Sequence, residues 1–365
     1  MSNELKHEDF LHTHAPDKFL DALDLSILIV SYNTCSLTAA CIQSIFDSKM
    51  AINFEIIVFD NASTDNSPNF LAENFPNIKL IASDKNIGFG TANNIASEHA
   101  RGHMILLLNP DTLVIENGLQ KLYNFACVNG PDSIYGGASY NADQEIDTLS
   151  CVGEPTLWSL AMRAFGFSVL GRKTRLFNSE EIPGWHRDSI KTVPVIKGCF
   201  LLISRASWDV LEGFDNDYFL YSEETDLCKR AGLNGIECIF YPYAKIHHVG
   251  AASESSKPSR TIKLLNGKAI YYSKHWGRGS LTIASILTDF FVLFRRCAYA
   301  SLSIVSKRYE SAAQHWSIVW KNRPLWSVAP GRPQRRLAYS LQPGDGAITS
   351  CTVTDTFQST PIVSA

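Results

Sequence analysis

The stretch Met104-Ile105-Leu106-Leu107-Leu108-Asn109-Pro110-Asp111 decides the fold of this 365-residue chain. Five consecutive apolar residues predict a central strand covered on both faces, as in parallel sheets. The polar pair that follows stands at the carboxyl end of that strand, where open α/β sheets collect their ligands. A carboxylate and an amide there offer oxygen to a hard divalent cation, and Mg²⁺ in particular combines one or two protein ligands with substrate phosphates. The arrangement suits a nucleoside diphosphate.

Strands and helices alternate on either side. Leu25 to Tyr32 reads as a buried strand, with Asn33-Thr34 capping a helix that carries Leu37, Cys41, Ile42 and Ile45. Phe54 to Phe59 is the next strand, ending at Asp60, and the turn cluster Asn61 to Ser67 launches a second helix, with Ser63 and Asp65 expected to cap it. Ile78 to Ile81 is a short strand, followed by Asn86-Ile87-Gly88-Phe89-Gly90 and a helix through Asn93. Val195 to Ile203 restores strand character after an irregular aromatic stretch, Tyr135 to Val195, that places Trp158 and Trp185 in loops. A helix follows at Ser207 to Leu211, Ser222 offers an N-cap for a short helix stopped by Gly232, and Ile236 to Tyr241 is the last strand. Such alternation predicts an α/β fold on a mainly parallel sheet flanked by helices, with a C-terminal helical appendage.

With 45% hydrophobic and 19% charged residues, the composition is that of an ordinary globular protein. The formal net charge of −3 conceals a segregation: residues 1–256 carry 18 basic and 32 acidic side chains, a net of −14, while 257–336 carry 15 Lys and Arg against Asp289 and Glu310, a net of +13. A basic arm of this kind meets anionic lipid or nucleic acid. Its aromatics do not interleave with the charges as base stacking requires, which disfavours nucleic acid. Leu281 to Phe294, closed by Arg295-Arg296, falls short of the ~20 apolar residues of a membrane span and reads as an interfacial or groove-packing helix. An anionic membrane surface is therefore the expected partner of residues 281–336. The nine cysteines form no C-x-x-C pair, against a zinc site or disulfide framework, and residues 1–24 are polar with no secretory pattern. These features point to a cytoplasmic protein, peripheral on the inner face of the cell membrane, with a disordered tail over 330–365.

Gly88-Phe89-Gly90-Thr91-Ala92-Asn93 begins a dinucleotide fingerprint, but Asn93 stands where the third glycine belongs and the loop follows the third strand, so the dehydrogenase reading fails. Taken in order, the motifs resemble the inverting nucleotide-sugar glycosyltransferases of family two, on the GT-A fold, and especially their rhamnosyltransferase-like branch. The matching segments are Ser26 to Asn33, Val58 to Asp65, Asn86 to Gly90, Leu107 to Thr112 and Phe219 to Leu227, with a further likeness at Pro155 to Trp158 and Ala269 to Gly277.

The resemblance implies a catalytic domain over 25–256, with the nucleotide sugar on 25–125 and the acceptor on 126–256, between a polar extension, 1–24, and a basic amphipathic helical region, 257–329. It implies a donor site lined by Ser31, Tyr32, Asn33, Asp60, Asn86, Gly88, Asn93 and Asn109, in which Asp60 accepts hydrogen bonds from base or ribose and the asparagine amides orient them. Asp111 is the expected ligand of Mg²⁺ or Mn²⁺, with His248 or His247 beside it; the pattern around Gly250 favours His248. Glu224 aligns with the aspartate that serves as base in this family, one methylene further out, and its neighbour Glu223 is placed to contact the acceptor. Asp226, expected to pair with Arg230 one turn on, and Trp158 complete the set. The implied reaction moves a hexose, with dTDP-L-rhamnose the best single donor, to a saccharide or lipid-linked saccharide in cell-surface polysaccharide biosynthesis. Asn109, where the wider family often has a carboxylate, and Glu224 depart from the pattern. They leave open a catalytically silent sugar-nucleotide-binding or scaffold protein, and a UDP-sugar transferase is the other alternative. A nucleotidyltransferase is disfavoured because no glycine- and arginine-rich phosphate loop follows the first strand.

Overall fold

The computed structural model describes residues 23–141, 143–248 and 256–328. The polar extension as far as residue 22, the Gly250 segment and the expected tail at 330–365 lie outside the described residues. The chain opens with β1 (Leu25–Ser31), α1 (Cys35–Asp47), β2 (Phe54–Asp60), α2 (Ser67–Asn74), β3 (Lys79–Ala82), α3 (Phe89–Glu98) and β4 (Met104–Leu108). These four strands pair in parallel in the order β3-β2-β1-β4. Every residue of β1 and β4 is buried, because helices cover both faces. Alternate side chains feed two cores. Ile27 and Ile29 pack with Cys41, Ile42 and Ile45 of α1, while Leu28 and Val30 pack with Ala92 and Ala96 of α3. The order reverses between β1 and β4, which opens a crevice at their carboxyl ends.

The second half continues with β5 (Thr112–Ile115), α4 (Gly118–Asn129), β6 (Ile134–Tyr140), β7 (Cys151–Val152), α5 (Leu157–Ala164), α6 (Phe167–Leu170), β8 (Lys191–Thr192), β9 (Val195–Ile196), β10 (Phe200–Ser204), α7 (Arg205–Val210), α8 (Glu223–Leu233) and β11 (Cys238–His248). β10 joins β4 antiparallel, and the sheet runs on through β6, β11 and β5, with β8 on β11. The sheet is thus parallel on one side of β4 and mixed on the other. Four helices follow: α9 (Lys257–His275), α10 (Arg278–Val305), α11 (Glu310–Lys321) and α12 (Arg323–Trp326). They pack through Tyr271, Tyr272 and Leu281, and through Ile262, Val292, Val319 and Trp326.

Several local expectations are corrected. The strand read over Val195–Ile203 is broken at Lys197-Gly198-Cys199 into β9 and β10. The last strand does not stop at Tyr241; it continues through His248, because Thr112–Ile115 forms a partner strand whose register sets His248 opposite Thr112. Pro242 marks the join, where the pairing with β6 slips between Tyr241 and Lys245. Trp158 lies on a helix, since Thr156 and Ser159 form a reciprocal capping box at its start; Trp185 is in a loop as read. Ser222 does not cap α8. It and Tyr221 both take left-handed backbone, φ 74° each. α10 spans 28 residues, twice the stretch read as one helix.

Candidate active site

The crevice is floored by loops that lace the carboxyl ends of β1, β2 and β3 together. Asn33, in left-handed backbone, accepts from the Thr64 amide at 2.7 Å, and its own amide donates to Ser63 Oγ at 2.9 Å. Ser63 therefore serves this tie instead of a helix cap. Asp65 does accept from the Ser67 amide at the start of α2, but also from the Cys35 amide at the start of α1. Asn61, a turn residue with no local signal to single it out, accepts from the Ile87 amide at 2.8 Å and donates to Asn86 Oδ1 and the Gly88 carbonyl. It fixes the loop that enters α3. Ser31 and Asn93 are turned inward: the Ser31 hydroxyl bonds Thr34 and Thr38, and the Asn93 amide donates back to the Phe89 carbonyl. Tyr32 is half-buried beside Asn33.

Asp60 differs from its neighbours. Its Oδ1 accepts from the Ser63 amide at 2.9 Å, while Oδ2 is buried with no partner among the described residues. Burial pushes this carboxyl above the ordinary aspartate range. A buried acceptor left unmade is costly, and an N–H or O–H of a base or ribose would satisfy it.

The β5–β11 register gathers the candidate cation ligands. His248 Nε2 lies 3.3 Å from Asp111 Oδ1 and 3.3 Å from Asn109 Nδ2. His247 points the other way, with its ring edge-on to Tyr140. A carboxylate and an imidazole nitrogen suit a divalent cation that leaves positions for diphosphate oxygens, and Asn109 turns its amide nitrogen toward His248. Among the described residues no group of three or more His, Cys, Asp or Glu is placed to hold a metal ion.

The two glutamates open α8, directly after the left-handed turn at Tyr221 and Ser222. Gly267 of α9 makes room for that turn, since a Cβ there would run into the Tyr221 carbonyl oxygen. Lys197 Nζ meets Glu224 Oε1 at 2.6 Å. Glu223 Oε2 is buried without a partner among the described residues, and burial together with the neighbouring Glu224 charge pushes Glu223 up to about 8. Asp226 faces away from the pair: it accepts from Arg230 Nε and meets His275 Nε2, both at 2.7 Å. Burial opposes its charge, yet these partners hold its carboxyl below the usual range. It clasps α8 to α9. Trp158 is likewise occupied, its indole donating to the Leu176 carbonyl at 2.6 Å.

Short backbone contacts join the three groups. A Cβ on Gly88, φ 87°, would collide with the Phe219 carbonyl, which accepts from the Phe89 amide at 2.9 Å; the loop entering α3 thus lies on the segment leading into α8. The Asn109 amide donates to the Cys199 carbonyl at 3.1 Å, and a Cβ on Gly198 would stand 3.8 Å from Glu224 Cβ. The Lys197-Gly198-Cys199 break therefore ties the Asn109–Asp111 corner to the glutamates. Residues 26–151 match the family described as "Glycosyl transferase family 2". That family domain is matched over about a third of the chain, from β1 to the start of β7.

Relatives and fold agree with that domain. Among curated proteins, the N-acetylglucosaminyl-diphospho-decaprenol L-rhamnosyltransferase of Mycobacterium tuberculosis is 25% identical over 226 residues, 56% of this chain and 69% of its own. The UDP-Glc:alpha-D-GlcNAc-diphosphoundecaprenol beta-1,3-glucosyltransferase WfgD of Escherichia coli is 31% identical over 119 residues, 32% of this chain and 46% of its own. Among solved structures, GalNAc-T7 with UDP, GalNAc and Mn²⁺ superposes with a TM-score of 0.51 at 14% identity, covering 89% of this chain and 61% of that one. The chain has the GT-A fold of glycosyltransferases, with the crevice at the carboxyl ends of β1 and β4.

Proposed function

We propose that the enzyme transfers a sugar from a nucleoside diphosphate donor, best dTDP-L-rhamnose, to a saccharide or lipid-linked saccharide acceptor, inverting the anomeric carbon, in cell-surface polysaccharide synthesis. The observation that carries this reading is the tether at Lys197-Gly198-Cys199, which sets the Asp111–His248 corner beside Glu224. Rhamnose as donor sugar and a diphospho-lipid-linked acceptor take their support from the name of the mycobacterial relative.

In this reading Asp60 Oδ2 receives the base or ribose, held by the loop that Asn61 fixes. Asp111 and His248, with Asn109 beside them, would hold Mg²⁺ or Mn²⁺. The chemistry such a cation would supply there is Lewis-acid neutralisation of charge on the departing diphosphate, an effect worth several kcal/mol. The acceptor oxygen attacks the anomeric carbon as its proton passes to the Glu224 carboxylate, and the bond from that carbon to the diphosphate oxygen breaks. Lys197 orients the Glu224 carboxylate, and protonated Glu223 is available as a hydrogen-bond donor to the acceptor.

A thermal-shift screen of dTDP-, UDP- and GDP-sugars with Mn²⁺ tests the donor, because a ligand at 100 times its Kd stabilises by ~2.7 kcal/mol. dTDP-L-rhamnose should give the largest shift, and the product should carry the anomeric configuration opposite to the donor's. A larger shift with a UDP-sugar would replace the donor. Binding without transfer across an acceptor panel would favour a silent binding protein.

A further inference from the structure

A soluble helix normally turns one apolar stripe inward and a polar face outward. α10 has two apolar faces. Leu281, Ala284, Thr288 and Val292 are buried against the helices around it. On the opposite side Ile283, Ile286, Phe290 and Phe294 are exposed, and the stripe continues at helical spacing to Ile304 and Val305. α5 and α6 extend this outer face. Phe165 packs on Phe290 at 5.1 Å between ring centroids, Phe290 stacks on Phe294, and Phe165 leads through Phe167 to Phe177. Beyond them Val169 and Leu170 stand 68% and 85% exposed. A contiguous apolar surface of this extent marks an interaction site.

The charges around it select the occupant. Arg172, Lys173 and Arg175 follow Leu170 directly, all exposed and in no ion pair among the described residues. Lys307 and Arg308, also exposed, follow the far end of α10. The acid of α10, Asp289, is neutralised by Arg323 Nε at 2.7 Å. A second copy of this chain would set these cations against their own kind, whereas an anionic bilayer supplies acyl chains for the phenylalanines and headgroup charge for the rim. Among the described residues no helix is long and apolar enough to cross a membrane, so the surface would lie in the interface.

We propose that the outer face of α10 and the α5–α6 segment, Phe165 to Leu176, form one docking surface for an anionic lipid bilayer. The α5–α6 segment enters the headgroup region, and α10 lies along it.

Flotation of the full chain with phosphatidylcholine vesicles, with and without phosphatidylglycerol, tests this. Wild type should float with anionic vesicles and far less with neutral ones. Val169→Asp/Leu170→Asp, and separately Arg172→Glu/Lys173→Glu/Arg175→Glu, should each lower the vesicle-bound fraction at least about tenfold at fixed salt. All five side chains are exposed, so each variant should keep the wild-type melting temperature. Equal recovery of wild type and both variants, or a wild type that does not float, overturns the proposal. A dimer in solution that the Val169→Asp/Leu170→Asp change dissociates overturns it in favour of a second copy.

Discussion

The two sides of the crevice handle their polar groups in opposite ways. At the carboxyl ends of β1 to β3, Asp60, Asn33, Asn61 and Asn86 are held by backbone amides and by one another, across loops of adjacent parallel strands. Around α8 and α5 the carboxylates are held by side chains from distant segments: Glu224 by Lys197, Asp226 by His275, and Glu180 by Lys268 and Arg163 at 2.8 and 2.7 Å. Burial opposes the Glu180 charge, but those two cations hold its carboxyl at about 2. In the proposed reading, local turns suffice to place an acceptor oxygen for a nucleotide, whereas placing a base at the reacting centre takes tertiary contacts that also set its charge.

This contrast predicts where damage is chemical and where it is structural. The largest effect belongs to Glu224→Gln, which removes the proton acceptor while nearly preserving shape. Turnover should fall ~10²–10⁴-fold with donor affinity unchanged; a wild-type rate would shift the base to another group. Next comes Lys197→Met, which leaves Glu224 without its ion-pair partner. Breaking a buried pair costs roughly 3–5 kcal/mol, less where one side chain is solvent-screened. Lys197 is 33% exposed, so a loss on the order of 2 kcal/mol is expected by denaturant unfolding, with reduced turnover. No change in either would mean that the ion pair positions nothing.

A third effect depends on pH. Glu223 stands at about 8 in the fold against an ordinary 4.5, so the native state holds its proton more tightly than the unfolded chain does. The stability this gives is complete below 4.5 and is lost as pH rises through 8. Glu223→Gln cannot ionise. It should melt with wild type near pH ~4.5 and higher than wild type by about 2–4 °C per kcal/mol at pH ~8.5. Identical curves at both pH values would place Glu223 in contact with solvent.

Legibility in the sequence follows the same division. Buried runs such as Leu25–Ser31 and Met104–Leu108, and the turn chemistry after them, are written within a few residues of one another, so the parallel half of the sheet could be read directly. The contacts around α8 could not. Lys197 is a lone lysine in an apolar run, and its partner lies 27 residues on. His248 reaches Asp111 only because β5 pairs with β11, across more than a hundred residues of chain. The Tyr221–Ser222 turn needs Gly267 from a helix beyond the sheet. None of these leaves a periodic or local signal.

Convergence of Asp60, Asp111 and Glu224 on one cation-bound diphosphate is tested most directly by calorimetric titration of the donor into wild type and Asp111→Ala, with and without Mn²⁺. Wild type should bind at least about tenfold more tightly with the cation. Asp111→Ala should bind weakly and equally in both conditions, with its melting temperature unchanged. Tight, Mn²⁺-dependent donor binding by Asp111→Ala would contradict the account.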